Sequence, residues 1–177
     1  MGSGYAFMKK AVVGGTFAFL HKGHKKLLRK AFSIGDSVYI GLTTDNYVKN
    51  HKSASQSYRQ RLRQLKEFVS KYNKKYKISP LRDKYGPTLT EDFDYIVVSP
   101  ETAEAAREIN SIRRKNKRHT IKITVVGYAK AYDGRPISST RIARGEIDSQ
   151  GRKAKDDYAK NPALSKGMPK RGRKNQD

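Results

Sequence analysis

The chain is 177 residues long and carries 39 Lys and Arg against 16 Asp and Glu, a formal net charge of +23. That length suits one domain with a buried core, and the charge implies partners that bear phosphates, carboxylates or an anionic surface. The absence of cysteine excludes disulfides, zinc–thiolate sites and cysteine nucleophiles; with no secretory leader and no apolar run near the roughly 18–20 residues of a membrane span, a soluble, cytoplasmic protein is expected.

Lys10 to Gly15 (KAVVGG) is a short apolar run ending in paired glycines, the pattern of a buried strand feeding a tight turn. From Lys22 to Phe32, Leu27, Leu28, Ala31 and Phe32 recur at helical spacing among Lys25, Lys26, Arg29 and Lys30, which predicts a basic amphipathic helix. Ser37 to Leu42 reads as a second strand. Tyr58 to Tyr72 carries Leu62, Leu65, Phe68, Val69 and Tyr72 at spacings of three and four, a second helix. Tyr76 to Leu81, Tyr95 to Ser99 and Ile121 to Val126 supply three more strands, with a helix from Pro100 to about Arg118 between the last two.

This alternation predicts an α/β fold: a Rossmann-like five-stranded parallel sheet flanked by helices, with ligands bound outside the carboxyl ends of its strands. Ile137 to Gly145 (ISSTRIARG) reads as a polar cap entering a final short helix. Beyond it the periodicity stops, and residues 150–177 hold nine Lys or Arg and three Asp. With a mean hydropathy of -0.85 for the chain, the expected organisation is a domain over residues 1–149 followed by a disordered basic tail over 150–177.

The strongest local feature is Gly14-Gly15-Thr16-Phe17 followed by His21-Lys22-Gly23-His24. Glycines after a strand let backbone approach a phosphate closely, and the following helix start offers free N–H groups and a positive dipole end. Two histidines three apart at that start project to roughly one side, where imidazoles can donate to phosphate oxygens.

GTF followed by HxGH, with a later ISSTxI, resembles the nucleotidyltransferase superfamily related to class I aminoacyl-tRNA synthetases. Further along, DKYGPT (83–88), IVVSPET (96–102), INSIR (109–113) and DGRPISSTRIARGEID (133–148) are similar to the archaeal phosphopantetheine adenylyltransferases, themselves close to the adenylyltransferase half of eukaryotic CoA synthase. The resemblance covers Lys10 to about Ser149. It implies transfer of AMP from ATP to 4′-phosphopantetheine, giving dephospho-CoA and pyrophosphate in the synthesis of CoA.

By that resemblance His24 contacts the α-phosphate, His21 helps hold the nucleotide, and Gly15, Thr16 and the Phe17 amide position the phosphates. Lys49 matches the family's acceptor-phosphate lysine, with Lys52 a second candidate in the same loop. Arg61 and Arg113 align with family arginines assigned to the acceptor, although a surface role fits either residue type. Asp83, Tyr85 and Gly86 fall where the acceptor loop lies. Ser138, Ser139 and Thr140 serve ATP through hydroxyls and helix-start amides, and Arg144 adds a cation; an ordinary N-cap is the plainer reading of the serines, and both can hold.

Two positions depart from the family pattern. Ala18 stands where an acidic residue is common, and Ala143 where an arginine often stands. No carboxylate cluster near these motifs offers a cage for a metal, so Mg²⁺ is expected with ATP rather than as a protein-held ion. Rival readings are adenylyl transfer to nicotinamide mononucleotide or flavin, and a basic module that binds nucleic acid through the second helix and the tail. A monomer is implied by the archaeal resemblance.

Overall fold

Residues 8–51 and 56–154 are described in a computed structural model. Strands β1 (Lys10–Gly15), β2 (Ser37–Thr43), β3 (Lys75–Leu81), β4 (Tyr95–Val98) and β5 (Lys122–Val125) form one sheet in the order β3-β2-β1-β4-β5, parallel throughout. The chain therefore builds outward from β1 in one direction and then returns to its other side. That reversal leaves a crevice at the carboxyl ends of β1 and β4, the place where open parallel sheets bind ligands.

Strand pleating explains why nearly every residue of β1 and β4 is apolar. Ala11, Val13 and Val97 face one side, where they meet Leu28, Ala31 and Phe32 of helix α1 (Lys22–Ile34) and Leu65 and Val69 of helix α3 (Tyr58–Val69). Val12, Ile96 and Val98 face the other, against Ala103, Ala106 and Ile109 of helix α4 (Ala103–Lys115). A sheet covered on both faces has no solvent side, so its inner strands show no polar alternation.

The predicted strands and helices are present with ends shifted by a few residues. One element was not anticipated: helix α2 (Asp45–His51), which follows β2 where an open loop was expected. Its sequence, DNYVKNH, has no apolar period. It is started by Thr44, whose hydroxyl accepts from the Tyr47 amide at 3.3 Å, and is held by tertiary contacts of Asp45.

A third cluster, Ala129, Ala131, Ile137, Ile142 and Ile147 with Phe19 against it, lies beyond the sheet and carries the short helix α5 (Ser139–Ala143). The chain then turns back. Ile147 pairs with Lys153, the Tyr132 amide donates to Gly151 O at 2.8 Å, and Gly151 has φ 82° with Ile137 and Ala131 directly beside it. Residues 150–154, assigned to the tail on sequence, thus pack with the domain; residues 155–177 lie outside the described residues. Among the described residues no helix is long and apolar enough to cross a membrane.

Candidate active site

The site grows from the turn after β1. Phe17, Phe19 and Leu20 have φ of 51°, 58° and 21°, a left-handed region that costs a side-chain-bearing residue about 1–2 kcal/mol. Their surroundings hold the turn in place. Phe17 is in the core at 1% exposure, the Phe19 amide donates to Gln56 Oε1 at 2.6 Å, and the Phe19 ring sits on the third cluster. The turn brings the amino end of α1 to the carboxyl edge of the sheet.

His21 caps α1, its Nδ1 accepting from the Gly23 amide at 3.2 Å. Burial lowers its pKa to about 4, so near neutral pH the ring is uncharged and its proton sits on Nε2, the nitrogen left free to donate. His24 stacks on His21 with ring centres 3.7 Å apart and an interplanar angle of 22°, and Phe17 meets His24 edge-on at 5.3 Å. Stacking at that separation suits a pair in which one ring is neutral. The space between them is tight: a Cβ on Gly23 would lie 3.0 Å from His21 Cε1 and 3.1 Å from Nδ1, and the His21 ring would have to give by a few tenths of an ångström.

Helix α5 docks beside this turn. Ser138 caps it, accepting from the Arg141 amide at 3.3 Å, and the Ser139 hydroxyl donates to Ala18 O at 2.9 Å. The structure therefore joins the GTF and ISST segments across 121 residues of sequence. Thr140 and Arg144 are exposed on the same short helix and its end. Arg141, by contrast, is tied to Asp133 and Glu146, and although burial pushes the Asp133 carboxyl up, hydrogen bonds from Arg135 and Arg141 prevail and hold it at about 2.

Two arginines expected at the acceptor are buried. Arg61 is 0% exposed: Nη1 donates to Thr16 O at 2.9 Å and Thr43 O at 2.8 Å, Nη2 to Asp45 at 2.7 Å and Nε to Gln56 O at 3.2 Å. Arg113 is 1% exposed and donates to the carbonyls of Thr88, Glu91 and His119 and to Asp92. Neither is the exposed residue that its type suggests: the hydrogen bonds of each guanidinium run to protein carbonyls and one carboxylate. Each is a buried cross-brace, because a fixed fork of donors can satisfy several carbonyls that no secondary structure reaches.

Arg61 nevertheless serves the site indirectly, since it fixes the carbonyl of Thr16 and the start of α2. Thr43 completes this corner by donating its hydroxyl to Thr16 Oγ1 at 3.1 Å. Lys49 stands exposed on α2, near enough to Asp45 to help lower that carboxyl; burial of Asp45 raises it, and a backbone hydrogen bond from Tyr58 with the Arg61 contacts lower it more. Lys52 lies outside the described residues.

A cavity of 250 Å³ opens from Gly15, Thr16 and Thr43 down between the sheet and α4, with a largely apolar wall that includes Tyr39, Ile96 and Ala106. The Asp83 loop forms its rim. Asp83 Oδ1 accepts from the amides of Tyr85 and Gly86 at 2.9 and 2.6 Å, an Asx-type turn that needs the positive φ of 52° at Gly86. Asp83 is thus committed to shaping the loop, whereas Tyr85 lines the cavity and donates its hydroxyl to Glu108 at 2.5 Å, beside the Lys84–Glu108 ion pair. Lys84, Glu108, Thr43 and Asp45 were not singled out on sequence; each matters only through a partner that the fold supplies.

Among the described residues no group of three His, Asp or Glu converges in a way that could hold a metal ion. The carboxylate nearest the site's corner, Asp45, is bonded to Arg61.

Residues 12–145 match the model of the cytidylyltransferase-like family. The chain is similar to the phosphopantetheine adenylyltransferase of Methanosarcina mazei, with 48% identity over 154 residues, 84% of this chain and 99% of that protein. It is 49% identical over 157 residues to the phosphopantetheine adenylyltransferase of Methanosarcina acetivorans, 86% of this chain and 100% of the relative. A crystal structure of a protein of unknown function from Archaeoglobus fulgidus superposes with a TM-score of 0.63 at 38% identity, over 66% of this chain and 88% of that one. A pantoate-beta-alanine ligase from Francisella tularensis shares the fold alone, with a TM-score of 0.53 at 15% identity over 79% of this chain and 67% of its own.

Proposed function

The chain belongs to the cytidylyltransferase-like family and, within it, to the phosphopantetheine adenylyltransferases, and from that premise we infer that it transfers the adenylyl group of ATP to 4′-phosphopantetheine, forming dephospho-CoA and pyrophosphate. The observation that carries this reading is the stacked His21–His24 pair at the carboxyl edge of the sheet, set between the start of α5 on one side and the 250 Å³ cavity on the other. A nucleotide triphosphate would lie on the first side. The elongated arm of the acceptor would occupy the second.

An oxygen of the acceptor phosphate attacks the α-phosphorus of ATP; the new P–O bond forms as the bond to the pyrophosphate bridging oxygen breaks. A phosphate is already ionised at neutral pH, so no general base is required, and positioning with charge neutralisation supplies the rate. His24 would donate to the α-phosphate, and His21, kept neutral by burial, would donate through Nε2 to the nucleotide. Thr16 and the Phe17 amide would hold the phosphates in line, and Lys49 with Lys52 would neutralise the acceptor phosphate. Ser138, Ser139, Thr140 and Arg144 would meet the departing pyrophosphate. Mg²⁺ would arrive on the ATP phosphates, and no step is assigned to it.

The test is incubation with Mg-ATP and a panel of phosphopantetheine, nicotinamide mononucleotide and flavin mononucleotide, with products read by mass spectrometry. Dephospho-CoA alone is expected. His24→Ala should lower turnover by about two to three orders of magnitude, the usual loss on removing one transition-state donor; unchanged turnover would overturn the mechanism.

A further inference from the structure

Helix α1 carries Lys22, Lys25, Lys26, Arg29 and Lys30 and no acidic residue. Helix α3, beside it on the same face of the sheet, presents Arg59, Arg63 and Lys66 against the single acid Glu67, and Lys71, Lys74 and Lys75 follow. The proposed transfer uses none of these cations. On the opposite face α4 mixes both signs, with Glu104 and Glu108 among its arginines. Among the described residues the α1–α3 face is therefore the more basic side of the sheet.

Aromatic rings run through that basic face. Phe68 is half-buried, with Lys25 Nζ 5.7 Å and Arg29 Cζ 5.9 Å from its ring centre. Tyr72 meets Phe68 edge-on at 5.9 Å and stacks on Phe32 at 4.1 Å, and Tyr76, 38% exposed, continues the row beyond Phe32. Beside Phe68 a groove of 1010 Å³ opens, lined by Phe19, Lys25, Lys71 and Lys153, with Glu67 and the Arg152–Asp148 ion pair also on its wall. None of Thr16, His21, His24, Ser138, Ser139 or Thr140 lines it, although the Phe19–Leu20 turn borders both the groove and the proposed transfer site.

Cations spaced along a groove, with part-exposed rings between them, are what a single-stranded nucleic acid needs: phosphates follow the charges and bases stack on the rings. A bare polyanion would use the charges and ignore the rings. A duplex would present no free base faces. We propose that the α1–α3 face and its groove bind single-stranded nucleic acid, with Phe68 as a base-stacking platform and Lys25, Lys71 and Lys153 as phosphate contacts. The cations and the ring proposed for this binding are none of those proposed for adenylyl transfer, so the two activities are separable by substitution.

The full-length protein is titrated into a fluorescein-labelled 15-nucleotide oligouridylate, with a duplex of equal length and heparin as competitors. Binding should fall steeply with salt, and the single strand should be preferred to the duplex. Phe68→Leu should weaken oligouridylate about fivefold or more, the effect of losing one stacked base, while leaving heparin binding unchanged. Lys25→Glu combined with Lys71→Glu should reduce the salt slope by about one to two units. All variants should keep adenylyl transfer. The proposal fails if the wild type does not bind oligouridylate, if the duplex competes as well as the single strand, if both variants bind like wild type, or if Phe68→Leu weakens heparin to the same degree.

Discussion

At the scale of single residues, His21 shows how one side chain joins stability to the site. Its lone pair is spent on the cap of α1, and burial holds its pKa at about 4, below the ordinary value of 6.5. The depressed value means that the unfolded chain binds the proton more tightly than the folded one. Between pH 6.5 and 4 the protein should therefore lose stability as the pH falls, by an amount approaching roughly 3 kcal/mol for a shift of this size. Above pH 6.5 the group is neutral in both states and contributes no slope. Urea unfolding across that window should show the decline in wild type and a markedly flatter line in His21→Asn, which keeps a capping oxygen but does not titrate. An equal slope in the variant would assign the effect to other groups.

Between elements, the decisive brace is Arg61. It ties the end of β1 through Thr16, the end of β2 through Thr43, and α2 through Asp45, so the position of Lys49 depends on a buried residue of another helix. Arg61→Ala would strand the carbonyls of Thr16, Thr43 and Gln56 without donors in the interior. Asp45 is partly exposed, so most of the loss falls on those carbonyls, and about 3 kcal/mol of stability should disappear, measured by chemical denaturation. Arg61→Lys should restore only a fraction, because an ammonium cannot reach partners set around a planar fork. A near-neutral Arg61→Ala would mean that water replaces the guanidinium. The turn from Phe17 to Leu20 works by the same logic: its positive φ angles persist because the core, Gln56 and the third cluster all restrain it.

Across the whole molecule the formal charge of +23 sets up self-repulsion, against which ion pairs such as Arg61–Asp45 and Arg141–Asp133 act. Screening falls to a range of about 10 Å at 0.1 M salt. The thermal midpoint should accordingly rise when sodium chloride is increased from about 10 mM to about 0.1 M, the reverse of what a protein held by surface salt bridges would do. A falling midpoint would show that pairs such as Arg141–Asp133 outweigh the repulsion. The concentration of cations on the α1–α3 face makes a bound polyanion another route to the same relief.

The sequence by itself determined the α/β class, the five strands, the helices of the sheet's two faces and the segments that meet at the site. Apolar runs, helical spacing and paired glycines are local patterns that a short window carries. Ser138 before α5 belongs to this legible part, since it answers a local demand for a cap. The tertiary structure decided the rest. Arg61 and Arg113 read on sequence as surface or phosphate-binding cations and prove to be buried braces, because what a guanidinium does depends on which carbonyls surround it. Helix α2 has no period of its own and is held by Asp45 meeting Arg61, sixteen residues on. Residues 150–154 look like tail in composition, yet Gly151 folds against Ile137 and Ala131. In each case the deciding partner is remote in the chain, and only the fold brings it near.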